Sequence, residues 1–349
     1  MKFNKTISIG NSIVSDDSPT FIIAEAGVNH GGDINMAKKL IDVAAAAGAD
    51  AVKFQAFRTE NLILKNVEKA EYQKVTTGSV ESQYEMLKKL ELSKHHYTQL
   101  KAYCNQKGII FLITPFDEGS LQELEEVGLD AYKIASTDAT NLPLLRKIAA
   151  THKPLIFSTG MCYLEEISKA LEEIYPVNKD VILLQCVANY PIRDEDANLN
   201  VINLYKNTFD IIVGYSDHSV GLGASLYAIP MGAKVLEKHF TLDKTMEGPD
   251  HNASLTPEEL VNYIKEVRRV EKYLGKSQKE PTDAELNTRK TLQKCLVTSR
   301  NIDTGEKFTL DNIIAKRTGG IGISPLQYRN VIGKTAKRDF QANEIIDVE

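Results

Sequence analysis

Two histidines close short apolar runs in this chain: His218 ends "IIVGYSDH" (211–218), and His239 lies near the end of "VLEKHFTL" (235–242). A single imidazole in such a place is most often a satisfied core or surface residue. Two at matching places, on consecutive runs, can converge on one point. Paired imidazoles, completed by oxygens from substrate and water, suit a divalent transition ion such as Mn²⁺ acting as a Lewis acid. Polar groups also stand at or near the ends of all eight apolar runs. They are Glu25, Asn29 and His30; Lys53 and Gln55; Thr114; Lys133 and Ser136; Ser158 and Thr159; Asn189 and Tyr190; Ser216 and Asp217; and Glu237. The ammonium groups of Lys53 and Lys133 supply charge, and the hydroxyls of Ser136, Ser158 and Ser216 supply hydrogen bonds. Together they make a cradle for phosphate or carboxylate oxygens. The plainer alternative is that each lysine pairs with a neighbouring acid, Glu25 or Glu237. His95 and His96, in a polar helical stretch, and His152, before "KP", read as surface or loop residues.

Groups in these places need a frame that brings many strand ends together. The runs are "FIIAEAGVN" (21–29), "AVKFQAF" (51–57), "IIFLITPF" (109–116), "AYKIAS" (131–136), "PLIFSTG" (154–160), "VILLQCVA" (181–188) and the two that carry the histidines. Rich in Ile, Val, Leu and Phe with little alternation, they read as parallel strands covered on both faces. Helical patterns such as "NMAKKLIDVAAAAGAD" and "GSLQELEEVGLD" lie between them. Eight strands alternating with helices predict an α/β fold, a (β/α)8 TIM barrel, whose chemistry sits at the C-terminal ends of the strands. A doubly wound open sheet is the competing layout, but no GxGxxG turn follows the first strand. Residues 256–275, "TPEELVNYIKEVRRVEKYLG", give the last barrel helix, so the barrel spans 1–275. The polar "KSQKEPTDAE" (276–285) reads as a linker, and 286–349, short segments broken by Gly, as a small strand-rich module. The long stretch 58–108 contains "KVTTGSVES", which reads as a flexible loop over the barrel mouth.

The chain has 349 residues and a formal net charge of −5, without a long basic run, which argues against nucleic acid as a partner. Its four cysteines are scattered with no CxxC pair, which fits a reducing compartment and no disulfide framework. No apolar signal segment opens the chain and no run approaches the roughly 20 apolar residues of a membrane span. The expectation is a cytoplasmic protein with no membrane partner.

In order along the chain, "IIAEAGVNHGGD", "AVKFQAF", "TPFDEGS", "YKIAS", "STGM", "GYSDHS", "EKHFTLDK" and "GPDHNASLTPEEL" resemble the sialic acid synthases, phosphoenolpyruvate-dependent nonulosonate synthases. The tail "AKRTGGIGISPLQYRNVIGKTAKRDF" resembles their C-terminal antifreeze-like (SAF) domain. The resemblance implies a TIM barrel that condenses phosphoenolpyruvate with an open-chain N-acetylmannosamine-type aldehyde to a nine-carbon 2-keto acid and phosphate. It implies His218 and His239 as ligands of a divalent metal, Mn²⁺ first, with Mg²⁺ or Co²⁺ as alternatives. Glu25 is implied as the acid/base near the reacting carbons, with Glu237 close to the metal. Lys53, Lys133, Ser136, Ser158 and Ser216 would hold phosphoenolpyruvate, and Gln55, Tyr190 and Asp250 the sugar; Thr114 joins the substrate-binding set. Arg317 resembles an arginine that reaches from one subunit's tail into the other's barrel, which implies a domain-swapped homodimer.

The sequence departs from that pattern at Thr137-Asp138, where the family shows Gly-Glu, and at Ala188, where a polar phosphate contact is usual. Strand alternation would point Asn189 to the other face. The sugar is expected to be N-acetylmannosamine, giving N-acetylneuraminate, with 2,4-diacetamido-2,4,6-trideoxymannose, giving legionaminate, as the alternative. "GPDHNASL" resembles both branches more than the pseudaminate one. Two rivals are a Schiff-base aldolase built on Lys133 or Lys53 and a non-catalytic sugar- or ice-binding protein built on the tail.

Overall fold

The computed structural model describes residues 1–78 and 80–347, apart from the side chains of Tyr72 and Val75. The chain divides into two units, Met1–Gly275 and Lys276–Glu349.

The first unit opens with a hairpin that was not anticipated, β1 (Thr6–Ile9) and β2 (Ser12–Ser15), paired antiparallel around Gly10-Asn11. Eight parallel strands follow: β3 (Phe21–Gly27), β4 (Ala51–Ala56), β5 (Ile110–Pro115), β6 (Tyr132–Ile134), β7 (Leu155–Ser158), β8 (Val181–Cys186), β9 (Ile212–Asp217) and β10 (Val235–His239). Their order is β5-β4-β3-β10-β9-β8-β7-β6, so the first strand of the series pairs with the last and the sheet wraps round on itself. The ends of that ladder, β5 and β6, lie side by side, which makes a nearly closed (β/α)8 barrel. Helices cover it outside; Ile34–Ala47, for example, starts at Asp33, whose side chain accepts from Asn35 N, and stops at Gly48.

The barrel has two apolar clusters because both faces of each strand are covered. Alternate residues point outward to the helices, as Ile22, Ala24, Val52, Phe111 and Leu183 do. The inward set fills the barrel's lower layers: Phe21, Ile23, Ala51, Ile110, Leu112, Ile156, Ile182, Leu184 and Val235. Ile7, Ile9 and Val14 of the hairpin belong to this inner cluster, packed with residues from the N-terminal ends of the strands. Space here is tight. A Cβ on Gly214, in β9, would lie 2.4 Å from the Val235 carbonyl oxygen and 2.5 Å from a Leu184 methyl.

The stretch 58–108 is largely helical, and "KVTTGSVES" (74–82), read as a loop, starts inside one of its helices. It forms short helices over Thr59–Leu62, Glu71–Thr77 and Gln83–Lys88 before the barrel helix Lys94–Lys107. The buried Lys69 ammonium ties it together, donating to Thr77 Oγ1 at 2.9 Å and the Gly78 carbonyl at 3.1 Å and pairing with Glu81 at 3.2 Å. Ser79, within "KVTTGSVES", lies outside the described residues.

In the second unit a helix over Asp283–Leu292 begins inside the stretch read as linker; Thr282 and Glu285 form a capping box. All its residues are exposed, so no apolar periodicity marked it. Strands β11 (Lys294–Thr298) and β12 (Ile313–Arg317) pair antiparallel over a small core with Phe308, Val331 and Phe340. Among the described residues, no helix is long and apolar enough to cross a membrane.

Candidate active site

The inward positions that are apolar low in the barrel turn polar at the C-terminal ends of the strands. On β3, Ile23 is followed two residues later by Glu25; on β4, Ala51 by Lys53 and Gln55; on β5, Leu112 by Thr114. Ile156 gives way to Ser158 on β7, Leu184 to Cys186 on β8, and Val235 to Glu237 and His239 on β10. A period of two carries this change of character. These groups open into a cavity of about 590 Å³. Glu25, Lys53, Gln55, Thr114, Lys133, Ser136, Ser158, Tyr190, Ser216, His218, Glu237, His239 and Asp250 all line it.

Register sets the neighbours. Glu25 stands opposite His239 on one side and Lys53 on the other, and Glu237 opposite Ser216. Lys53 pairs with Glu25 at 2.8 Å and lies 3.7 Å from Glu237, so the plainer alternative for this lysine is what the ligand-free protein adopts. A buried ammonium needs a counter-charge, and Glu25 is within reach. Lys133 also lies 3.7 Å from Glu237, and donates to Ser158 Oγ at 2.7 Å and to its neighbour's carbonyl, Ile134 O, at 3.1 Å. Ser216 donates to Glu237 at 3.1 Å, Lys53 to Thr114 at 3.3 Å, and Ser136 Oγ accepts from Gly160 N at 2.8 Å. Gly27 borders this group at φ +54; a Cβ there would approach Glu25 Oε1 to 3.3 Å and Gln55 Nε2 to 3.5 Å.

Burial raises the Glu25 carboxyl to about 7, against the pull of Lys53 and with the push of Glu237. Burial likewise raises Asp250 to about 6. Glu237 is held below the ordinary carboxylate range: burial opposes this, but Lys133 and Lys53 outweigh it. Two carboxylates therefore sit one strand apart with their titrations pushed in opposite directions, the arrangement that separates a proton-transfer group from a permanent charge. Lys133 is lowered, chiefly by burial.

The rings of His218 and His239 have centroids 5.4 Å apart, and the Tyr190 ring packs 4.0 Å from the first and 5.5 Å from the second. His218 Nδ1 lies 2.7 Å from the Val187 carbonyl, which holds Nδ1 as a protonated nitrogen; burial pulls this imidazole's pKa down, but Cys186 and the Val187 carbonyl outweigh it and push it up. Burial holds His239 well below its ordinary pKa, so it is a neutral imidazole. Its Nδ1 and Glu237 Oε2 are buried without a hydrogen-bond partner. Among the described residues, no three His, Cys, Asp or Glu side chains gather as a complete metal site. The protein offers two imidazoles, a donor pair that fits a divalent ion whose remaining positions are completed by substrate and water.

Several residues named from the sequence do not reach the cavity. Asp217 faces outward, bonded to Ser219 and Ser225 and paired with Lys238 at 3.1 Å. Asn29 donates to Phe240 O, His30 Nδ1 accepts from Gly32 N, and Thr159 donates to Leu184 O; all three support the frame. Asn189 is exposed, and β8 already ends at Cys186, so strand alternation is not what directs it. Ala188, Thr137 and Asp138, the departures, do line the cavity. Arg317 is the exposed last residue of β12, in the second unit. Cys186 was missed, although Ile182 and Leu184 pointed to it by alternation. The second unit has its own shallow groove of about 930 Å³, but its charges pair with one another, Arg338 with Glu344 at 2.6 Å and Asp347 at 2.9 Å.

Comparison with known proteins gives the family. Residues 40–279 match the NeuB family and residues 293–347 the SAF domain. The N,N'-diacetyllegionaminic acid synthase of Campylobacter jejuni is 44% identical over 330 residues, covering 94% of this chain and 98% of that protein. The protein of the same name from Legionella pneumophila is 42% identical, covering 92% of each chain. Among solved structures, the N-acetylneuraminic acid (sialic acid) synthetase of Leptospira borgpetersenii, in complex with citrate, is 37% identical with a TM-score of 0.73, covering 83% of this chain and 98% of that one. The chain belongs to the NeuB family of phosphoenolpyruvate-dependent nonulosonate synthases and carries a SAF domain behind its barrel.

Proposed function

We propose that the barrel mouth joins C3 of phosphoenolpyruvate to the aldehyde carbon of an open-chain, N-acylated hexosamine. Water adds at C2, the bond from C2 to the phosphate oxygen breaks, and phosphate leaves with a nine-carbon 2-keto sugar acid. The observation that carries the reading is the set of two buried lysines, hydroxyls and opposed carboxylates at the inward strand ends. Lys53 and Lys133, with Ser136, Ser158 and Ser216, neutralise and orient the phosphate and carboxylate of phosphoenolpyruvate. The anion takes over Lys53 from Glu25. Glu25, near 7, then takes one proton from the adding water. The former aldehyde oxygen gains one proton as it becomes a hydroxyl, and the second water proton leaves with phosphate as the C2 hydroxyl becomes the ketone. Glu237 stays charged and holds the lysines in place. Gln55, Tyr190 and Asp250 orient the sugar.

His218 and His239 would hold the divalent ion, Mn²⁺ with Mg²⁺ or Co²⁺ as alternatives, which when bound polarises the aldehyde oxygen. The bond from His218 Nδ1 to Val187 O fixes that ring's orientation for the task.

Two relatives named N,N'-diacetyllegionaminic acid synthase favour 2,4-diacetamido-2,4,6-trideoxymannose as the sugar, the alternative in the sequence reading, over N-acetylmannosamine. The sialic acid synthetase from Leptospira keeps N-acetylmannosamine as the second reading. The reading includes a cytoplasmic homodimer in which Arg317 serves the barrel of a second copy. The test is phosphate release from phosphoenolpyruvate with each sugar, with the product mass measured. Release that requires a sugar and yields the summed keto acid supports the proposal. Sugar-independent release, or borohydride trapping of Lys133 by a keto substrate, would replace it.

A further inference from the structure

The cavity has two kinds of lining, and the reaction accounts for one of them. The polar floor comes from the strand ends. A second stretch of lining comes from the helical segment after β4 and is apolar: Leu62, Ile63, Met86 and Leu87. Leu62 and Leu87 pack on a small cluster of their own, with Val28, Phe57, Leu90 and Phe116, apart from the main barrel core. This wall is anchored. Lys69 braces its middle, and Thr76 Oγ1 donates to the Pro249 carbonyl at 3.4 Å, beside Asp250. Among the wall's described residues, the polar side chains that line the cavity are Gln73 and Gln83, and Gln83 Nε2 donates to Gln73 Oε1 at 3.0 Å.

A polyhydroxylated chain gains little from such a surface. A hydroxyl laid against Leu and Met loses its water without a new partner, whereas a methyl loses nothing and gains burial. The aldehyde end must stay at the polar floor, so the rest of the sugar meets the wall. We propose that this wall is a methyl-recognising subsite that sets sugar choice, favouring substrates with a deoxy or acylamido methyl where N-acetylmannosamine carries a hydroxyl. The inference rests on the phosphoenolpyruvate reading above and sharpens its sugar.

Three sugars separate the two sources of a methyl. N-acetylmannosamine and its 6-deoxy analogue differ at one hydroxyl. The 6-deoxy analogue and 2,4-diacetamido-2,4,6-trideoxymannose differ only in the group at C4. The expected result is a rise in kcat/KM of about tenfold or more at one or both steps, and the step that rises tells which methyl the wall takes. In Leu87→Gln, where the half-buried leucine becomes a hydrogen-bonding amide, that ratio falls severalfold towards one; Leu62→Gln is the second variant should the first not fold. Equal kcat/KM for all three sugars in the unaltered enzyme overturns the inference while leaving the reaction standing. A large preference unmoved by both folded variants overturns the wall as its cause. No phosphate release with any of the three removes the reaction itself and the inference with it.

Discussion

Strands β9 and β10 carry polar residues on both faces, and the two faces have been treated differently. Outward, Asp217 accepts from Ser219 N, Ser225 N and Ser225 Oγ and meets Lys238, whose ammonium also donates to Ser219 O at 2.6 Å. Those charges are closed off among the helices. Inward, one residue away along each strand, Ser216, Glu237 and His239 face a cavity, and Glu237 Oε2 and His239 Nδ1 lack partners. Each side of the barrel wall has a carboxylate–lysine pair: Asp217–Lys238 at 3.1 Å outside, and Glu25–Lys53, on the neighbouring β3 and β4, at 2.8 Å inside. The difference lies in what remains unmatched. A fully satisfied network rigidifies the frame, whereas a partly satisfied one is ready to accept a ligand. Loss of the outer pair should therefore read out in stability, and loss of the inner one in rate.

The largest separation is expected from Glu25→Gln. Removing its proton transfer lowers kcat for phosphate release by about 10²- to 10⁴-fold. The fold should tolerate the change better than a change outside, because the Glu25 carboxyl is already raised to about 7 and Lys53 keeps Glu237 nearby. A variant with near-normal kcat would take Glu25 out of the chemistry. Asp217→Ala is the mirror experiment. It strands the Lys238 ammonium, which is 1% exposed, and should cost about 3–5 kcal/mol in denaturant unfolding. A loss below about 1 kcal/mol would mean the outer network is not the brace described.

The smallest effect concerns pH. Burial raises Asp250 from its ordinary 3.8 to about 6, so the folded protein binds this proton more tightly than the unfolded chain does. Its contribution to stability is complete below 3.8 and is lost as pH rises through 6. Asp250→Asn has no such loss. Its stability relative to the unaltered protein should rise by about 1 kcal/mol between pH 5 and pH 8. A difference that is flat across that range would contradict the raised carboxyl.

The barrel was legible because eight Ile- and Val-rich runs alternate with helical patterns, and strand ends could be named by counting. What strand ends alone do not tell is the face. Asp217 and Ser216 are neighbours in sequence, and only the inward phase shown by Ile212 and Val235 separates them. The same phase, followed from Ile182 through Leu184, would have found Cys186. The hairpin has a signal of its own, because Thr6–Ile9 and Ser12–Ser15 alternate around Gly-Asn, but strands of four residues are too short to stand out beside the barrel runs. The helices of the segment after β4 leave little mark in the sequence because they are short and polar outside; the Lys69 contacts that hold it join residues whose meeting no periodicity announces. The Lys53–Glu25 pair, at 2.8 Å, joins residues from neighbouring strands whose register the sequence alone does not give.

The central claim is that the inner face, with His218 and His239, binds one divalent ion and performs the condensation. Its most direct measurement is sugar-dependent phosphate release from the chelator-treated enzyme as Mn²⁺ is titrated back, alongside His218→Ala and His239→Ala. The account predicts no release without metal, recovery that saturates at one ion per chain, and no recovery in either variant. Full sugar-dependent release in the presence of chelator, or recovery by either variant to the level of the unaltered enzyme, would contradict it.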